Sequence, residues 1–115
     1  MELVYDLVVV LHFLGLASLI GGWLVQLRAR GERIINPAML HGALTQMATG
    51  LVIVGLGEGV LDREYDYAKI TTKLVVTAIV LLLVWVNRRK EGIPDGLYFI
   101  IGGLAVANVA VAVLW

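Results

Sequence analysis

Four long apolar stretches alternate with three short connections rich in charge and turn formers. The apolar runs lie at 3–27, 38–57, 68–86 and 97–115, with connections at 28–37, 58–67 and 87–96. A helix needs about 20 residues to cross a hydrocarbon core of about 30 Å, so each run is long enough to span. None of them shows the short alternating strands that a transmembrane barrel requires. The pattern predicts an all-α fold, a four-helix transmembrane bundle in a single domain spanning 1–115. Short connections make consecutive helices antiparallel neighbours. The first run opens Met1-Glu2-Leu3-Val4-Tyr5-Asp6, acidic where a secretory leader is basic, and lacks a cleavage site, so it reads as a retained helix.

Composition agrees with the pattern. Of 115 residues, 60% are hydrophobic and 16% charged, against roughly 45–50% and 25% in an average soluble domain. A chain this short cannot bury that much apolar surface by itself, so the expected partner is the lipid bilayer. Nine basic and nine acidic residues cancel, which argues against a nucleic-acid binder with a broad basic face. Cysteine is absent, removing disulfides, thiolate metal sites, iron–sulfur clusters and cysteine nucleophiles together.

Charge in the connections predicts sidedness. Arg28, Arg30 and Arg33 crowd the first, and Arg88, Arg89 and Lys90 the third, while the second carries Glu58, Asp62, Glu64 and Asp66 against Arg63. The positive-inside rule then puts 28–37 and 87–96 in the cytoplasm, with 58–67 and both termini outside the cell membrane. Trp23 and Trp85 precede the two basic connections, where indoles anchor helices at the interface. The series Trp23, Arg28, Arg30, Gly31, Pro37 is echoed by Trp85, Arg88, Arg89, Gly92, Pro94. That echo reads either as a duplicated hairpin or as two inward-going helices that both end in tryptophan and arginine.

Polar groups within the spans are the candidates for function, because they are costly in lipid and face protein or water. They are His12, Ser18 and Gln26; His41, Thr45, Gln46 and Thr49; Lys69, Thr71, Thr72, Lys73 and Thr77; and Asn108. At 1.5 Å per residue, His12 lies about 17 Å from Trp23, Lys73 about 18 Å from Trp85, Thr49 about 18 Å from Pro37, and Asn108 about 21 Å from Pro94. Each helix thus carries one hydrogen-bonding side chain at a similar level. His12, Thr49, Lys73 and Asn108 form the candidate ligand-binding layer, in the outer half of the bilayer. On the first helix the stripe Tyr5, His12, Gly15, Gly22, Gln26 is small or polar throughout, and on the third Lys69, Lys73, Thr77, Val80, Val84 and Asn87 share a face. Such faces suit helix contacts in lipid. Ser18-x-x-x-Gly22 and Gly55-x-x-x-Gly59 match the small-residue packing pattern.

Structural readings stand beside the functional ones. His12 could bond Asn108 or Thr49 to set helix register, and Lys73 could snorkel past Lys69 to the interface. An ammonium at that depth is otherwise expected to reach Asp6, Glu58 or an anionic group of a bound molecule. His41 lies about 6 Å beyond Pro37, too far in depth from His12 for the two to share one iron or metal ion. It is expected to bond Asn36 or water near the interface. No nucleotide loop, His-x-x-x-His pair or buried carboxylate cluster is present in the sequence.

The segment Leu11-His12-Phe13-Leu14-Gly15 followed by Gly21-Gly22-Trp23 resembles the first helix of copper-resistance D-like proteins and of membrane protoporphyrinogen oxidases of the haem J type. Lys73-Leu74-Val75 resembles the "KL" element of their third helix, so His12 and Lys73 match residue by residue. The chain as a whole looks most like short bacterial integral membrane proteins of four helices. The expected role is non-enzymatic: a ligand-binding or accessory subunit of a membrane assembly, as a homo-oligomer or within a larger complex. One alternative is a redox protein holding haem b or a quinone, with His12 as ligand and Lys73 pairing a propionate or carbonyl. Another is a small transporter built as an oligomer.

Overall fold

The computed structural model describes residues 2–29, 31–59 and 67–114. Arg30, the acidic connection at 60–66 with Asp62, Arg63, Glu64, Tyr65 and Asp66, the side chains of Glu58 and Tyr67, and Trp115 lie outside the described residues. The protein is all-α, with helices α1 (Glu2–Leu24), α2 (Pro37–Gly59), α3 (Tyr67–Asn87) and α4 (Asp95–Leu114). All four are long and apolar enough to cross a membrane. Among the described residues there is no strand.

Helix ends fall where capping chemistry puts them. α1 stops at Leu24, three residues short of the apolar run, because the chain tightens into three-residue turns: Gln26 N–H bonds Trp23 O and Leu27 N–H bonds Leu24 O. α2 starts with Pro37 at its first position, where a missing N–H costs nothing. Asn36 caps it, its Oδ1 accepting from Met39 N at 2.9 Å. α4 begins two residues before its apolar run, with Tyr98 N–H bonding Pro94 O. Asp95 in its first turn suits the positive end of the helix dipole.

Packing runs around a ring. α1 lies closest to α2, α2 touches α3, α3 touches α4, and α4 closes weakly on α1. Gly42 permits a close backbone crossing: a Cβ there would stand 2.4 Å from Leu19 N and 2.6 Å from Gly15 O. Ser18 Oγ donates to Ala38 O at 2.7 Å across the same seam. Ser18-x-x-x-Gly22 is therefore a packing element, whereas Gly55 faces open space. Leu19, Met39, Val80, Val84, Tyr98 and Ile101 form the core. Leu3, Leu7, Leu11 and Leu14 on α1, with Leu82, Val86 and Val106 elsewhere, remain exposed. That is the apolar belt a lipid-facing surface needs.

One end of the bundle is a polar clamp. Arg33, 2% exposed, donates through Nη1 to Asp95 Oδ1 at 3.0 Å, through Nε to Gln26 O at 3.2 Å, and through Nη2 to Leu27 O. Its guanidinium lies 4.2 Å from the Tyr98 ring centroid and 4.9 Å from that of Phe99. Gln26 grips Ile34 from both sides, donating to its carbonyl at 2.9 Å and accepting from its N–H at 2.7 Å. Ile93 N–H then bonds Arg33 O at 2.9 Å, so the connections α1–α2 and α3–α4 meet. Gly31, with φ of 80°, makes the left-handed turn leading into the clamp.

Three expectations change here. Arg33 is not a solvated loop charge, since it is buried and matched by Asp95. Trp23 is not simply an interfacial anchor. Its Nε1 donates to Tyr98 O at 2.9 Å, Tyr98 Oη returns a bond to Trp23 O, and the rings stack at 5.1 Å. Trp85 is 45% exposed with the Arg88 guanidinium 3.9 Å over its ring, as an anchor would be. The two tryptophans therefore differ in role, and the echo between the hairpins does not extend to their side-chain contacts. His41 is exposed and makes no bond to Asn36, whose amide bonds Gly22 O and Met39 N instead.

Candidate functional site

Away from the clamp, side chains of all four helices surround a cavity of about 380 Å³. α1 contributes Val9 and His12, α4 contributes Asn108, and α2 and α3 supply the rest of the wall. The polar wall is His12, Gln46, Lys69, Lys73, Thr77 and Asn108. Its apolar side is made by branched aliphatic residues of α1, α2 and α3. Three of the four residues expected to form the polar layer, His12, Lys73 and Asn108, thus line one space. Thr49 stands behind it, as a support for His12.

The hydrogen bonds assign the imidazole's atoms. Thr49 Oγ1 donates to Thr45 O at 2.5 Å. The same Oγ1 is 2.7 Å from His12 Nδ1. A hydroxyl carries only one proton, so it accepts from His12, and the neutral ring is protonated on Nδ1. Nε2 is then the bare acceptor. It has no partner among the described residues, and the adjacent Cε1 lies 3.7 Å from the Cβ position of Gly50, on the cavity wall. Gln46 Nε2 donates to His12 O and ties the ring's backbone to α2.

A matching relay holds the other side. Thr77 Oγ1 donates to Lys73 O at 2.7 Å and so accepts from Asn108 Nδ2 at 2.9 Å. This orients the Asn108 amide and leaves its Oδ1 buried without a hydrogen-bond partner among the described residues. An unmet buried acceptor costs about 1–3 kcal/mol, so its retention asks for a reason. Asn108, Gln46 and Thr77 also border a small inner void of about 20 Å³.

Lys73 makes no salt bridge among the described residues, where Arg33–Asp95 is the ion pair. Asp6 does not reach it, and the side chain of Glu58 lies outside the described residues. Asn108 meets Thr77 rather than His12. The cavity is therefore furnished with an ammonium, a bare imidazole nitrogen and a buried amide oxygen. No carboxylate of a described residue lines it. Among the described residues there is no cluster of three metal-ligating side chains, and His41 is not in the wall.

Of the clamp, only Gln26 stands out in the sequence. Arg33 was one of several loop arginines, and Tyr98, Phe99 and Gly102 lay inside an apolar run. The available signals were Arg33 followed by two isoleucines, and Asp95 three residues before Tyr98. No protein-family model matches the chain, and comparison with curated proteins and solved structures finds no match either.

Proposed function

We propose that the protein is a non-enzymatic, ligand-binding or accessory subunit of a membrane assembly, working through the cavity around His12 and Lys73. The observation that carries this reading is that cavity, lined by His12, Lys73 and Asn108 beside an apolar wall, with Asn108 Oδ1 buried without a hydrogen-bond partner and Lys73 without a salt bridge among the described residues. Most intramembrane polar groups serve packing by bonding across helices. Here the packing bonds use Nδ1 of His12 and Nδ2 of Asn108, and leave Nε2 of His12 and Oδ1 of Asn108 for a guest. The layer belongs to the outer half of the bilayer of a bacterial cytoplasmic membrane, and the chain works as a homo-oligomer or as part of a larger complex. Native mass spectrometry of protein purified from membranes tests the reading. A retained small molecule that is lost in both His12→Leu and Lys73→Met supports it, and an empty protein that stays empty in lipid extracts sinks it.

In this reading consecutive helices are antiparallel, which the pairing of His12 with Thr49 and of Ser18 with Ala38 supports. Connections 28–37 and 87–96 face the cytoplasm, while 58–67 and both termini lie outside, following the arginine and lysine asymmetry. Cysteines placed at Arg30 or Lys90 are expected to resist an impermeant thiol reagent in intact cells, and one at Asp62 to label. Labelling at Lys90 would invert the topology.

The bare Nε2 of His12 favours a second reading, a redox protein holding haem b or a quinone, in keeping with the resemblance to copper-resistance D-like and haem J-type proteins. Neutral imidazole is a good axial ligand to iron. With His41 outside the cavity, one chain offers iron a single histidine. A Soret band in the visible spectrum of purified protein decides for haem, and its absence removes it.

A further inference from the structure

Three regions of the molecule hold chemistry not used by its packing. One is an apolar groove of Leu44, Met47, Ala78, Leu81, Leu82 and Trp85 between α2 and α3, with nothing to say what covers it. Another is Asn87 Oδ1, buried and unpartnered but away from either cavity's lining. The third is the cavity at Lys73, and it specifies its guest more closely than the reading above requires.

We infer that the cavity takes the head group of a single-chain phosphate monoester amphiphile, an inference that rests on the ligand-binding reading. Three observations select that chemistry. Lys73 presents an ammonium with no acidic partner among the described residues, so the guest needs an acceptor, favourably an anionic one. His12 Nε2 is a bare acceptor, since Nδ1 carries the proton given to Thr49, so the guest also needs an O–H or N–H donor. The remaining wall, with Ile53, Val54, Ile70 and Leu74, is apolar and asks for a chain beside the head.

Common head groups meet these demands unequally. A carboxylate satisfies Lys73 but turns a lone pair toward a lone pair at His12. An alcohol donates to His12 but brings no charge to the ammonium. A quaternary ammonium is repelled. A phosphate monoester in its monoanionic form carries both a P–O⁻ for Lys73 and a P–O–H for His12. Lys69 lies in the first turn of α3, so the cavity's Lys69 end is within reach of the interface where such heads reside. A volume of about 380 Å³ is at the lower end of the roughly 300–1,000 Å³ of small-molecule sites. That suits one head and the start of one chain.

The test uses the full-length protein in nanodiscs of zwitterionic lipid, with dodecyl phosphate, dodecanoate, dodecanol and inorganic phosphate as probes. Binding is read by competition and native mass spectrometry. Dodecyl phosphate is expected to bind about tenfold more tightly than dodecanoate or dodecanol, the worth of one further charge-assisted hydrogen bond. Inorganic phosphate is expected not to bind at the same concentration, because it lacks the chain. Lys73→Met should remove the binding while Lys73→Arg keeps it, and His12→Phe should erase the preference for phosphate over carboxylate. Unchanged helical circular dichroism in each variant separates these effects from misfolding. Equal or tighter binding of dodecanoate or dodecanol, or of phosphate without a chain, overturns the phosphate monoester while leaving a ligand-binding cavity in place. Failure of every probe to bind overturns this inference alone if extracts still load the protein, and the ligand-binding reading with it if they do not.

Discussion

The two ends of the bundle differ in how far their polar groups are bonded within the protein. At the Arg33 end, the guanidinium has three hydrogen-bond acceptors and two aromatic faces, and Gln26 uses both ends of its amide; only Asn87 Oδ1, where α3 ends, is buried there without a partner among the described residues. At the His12 end, each network stops one bond short: Nε2 of His12 and Oδ1 of Asn108 are left over, and Lys73 has no acid among the described residues. Both ends are polar in a chain that is 60% hydrophobic. Polarity alone therefore does not mark function in a membrane protein. Under the ligand-binding reading, what separates a strut from a site is an unmet polar group on a residue that lines a cavity, as Asn108 does and Asn87 does not, because a satisfied network rigidifies whereas an unsatisfied one beside open space has affinity left to offer.

The largest expected effect tests the Arg33 network. Arg33→Met removes the charge, strands the carbonyls of Gln26 and Leu27, and deletes the stack on Tyr98. Loss of one partner from a buried ion pair costs about 3–5 kcal/mol. Asp95 is 54% exposed at its side chain and can turn to water, so the expectation is the lower figure, about 3 kcal/mol. Unfolding in mixed micelles would measure it, and Lys73→Met in the same assay should show no comparable loss. Equal losses at the two ends would erase the contrast.

Next in size is Gly102. A Cβ there would stand 2.0–2.3 Å from the Trp23 indole, so Gly102→Ala must push the ring off Tyr98 and off its bond to Tyr98 O. Overpacking of this kind costs about 1–3 kcal/mol. Trp23 is one of three tryptophans, so fluorescence of a Trp85→Phe, Trp115→Phe background reports the displacement. An unshifted emission with unchanged stability would mean that the aromatic pair is not the seam between α1 and α4.

The contrast between the ends also explains what could be read from the sequence. Four helices were legible because length and apolarity are properties of a segment; α2 and α3 begin and end within two residues of their apolar runs, and the largest miss is at Leu24, where the chain tightens before Gln26. The His12 end was legible because an isolated polar residue stands out in an apolar run, and helical rise converts position to depth. His12, Lys73 and Asn108 came out of that arithmetic. The Arg33 end was hidden because its chemistry is spread over two connections, and the two isoleucines after Arg33 are a faint signal beside three loop arginines. Partners were the least legible feature. Equal depth did not say that Asn108 would choose Thr77 over His12, since that depends on rotation about each helix axis.

The smallest effect is the most discriminating. His12 and Thr49 are 2.7 Å apart, yet interhelical hydrogen bonds in membranes average only about 0.6 kcal/mol. If the pair is no more than a strut, His12→Leu, Thr49→Val and the double variant should close a cycle with a coupling of that size, and ligand retention should follow stability in proportion. If the bond to Thr49 exists to hold the ring as the Nδ1–H tautomer, the variants separate. Thr49→Val leaves stability within that small margin but frees the ring to turn or to move its proton to Nε2, so retention should fall well beyond what the stability change explains. Thr49→Ser keeps an acceptor for Nδ1 and should restore retention. Proportional loss in both variants would return His12 to the same class as Gln26, a residue that only holds the chain together, and would leave Lys73 and Asn108 Oδ1 as the contacts offered to a guest.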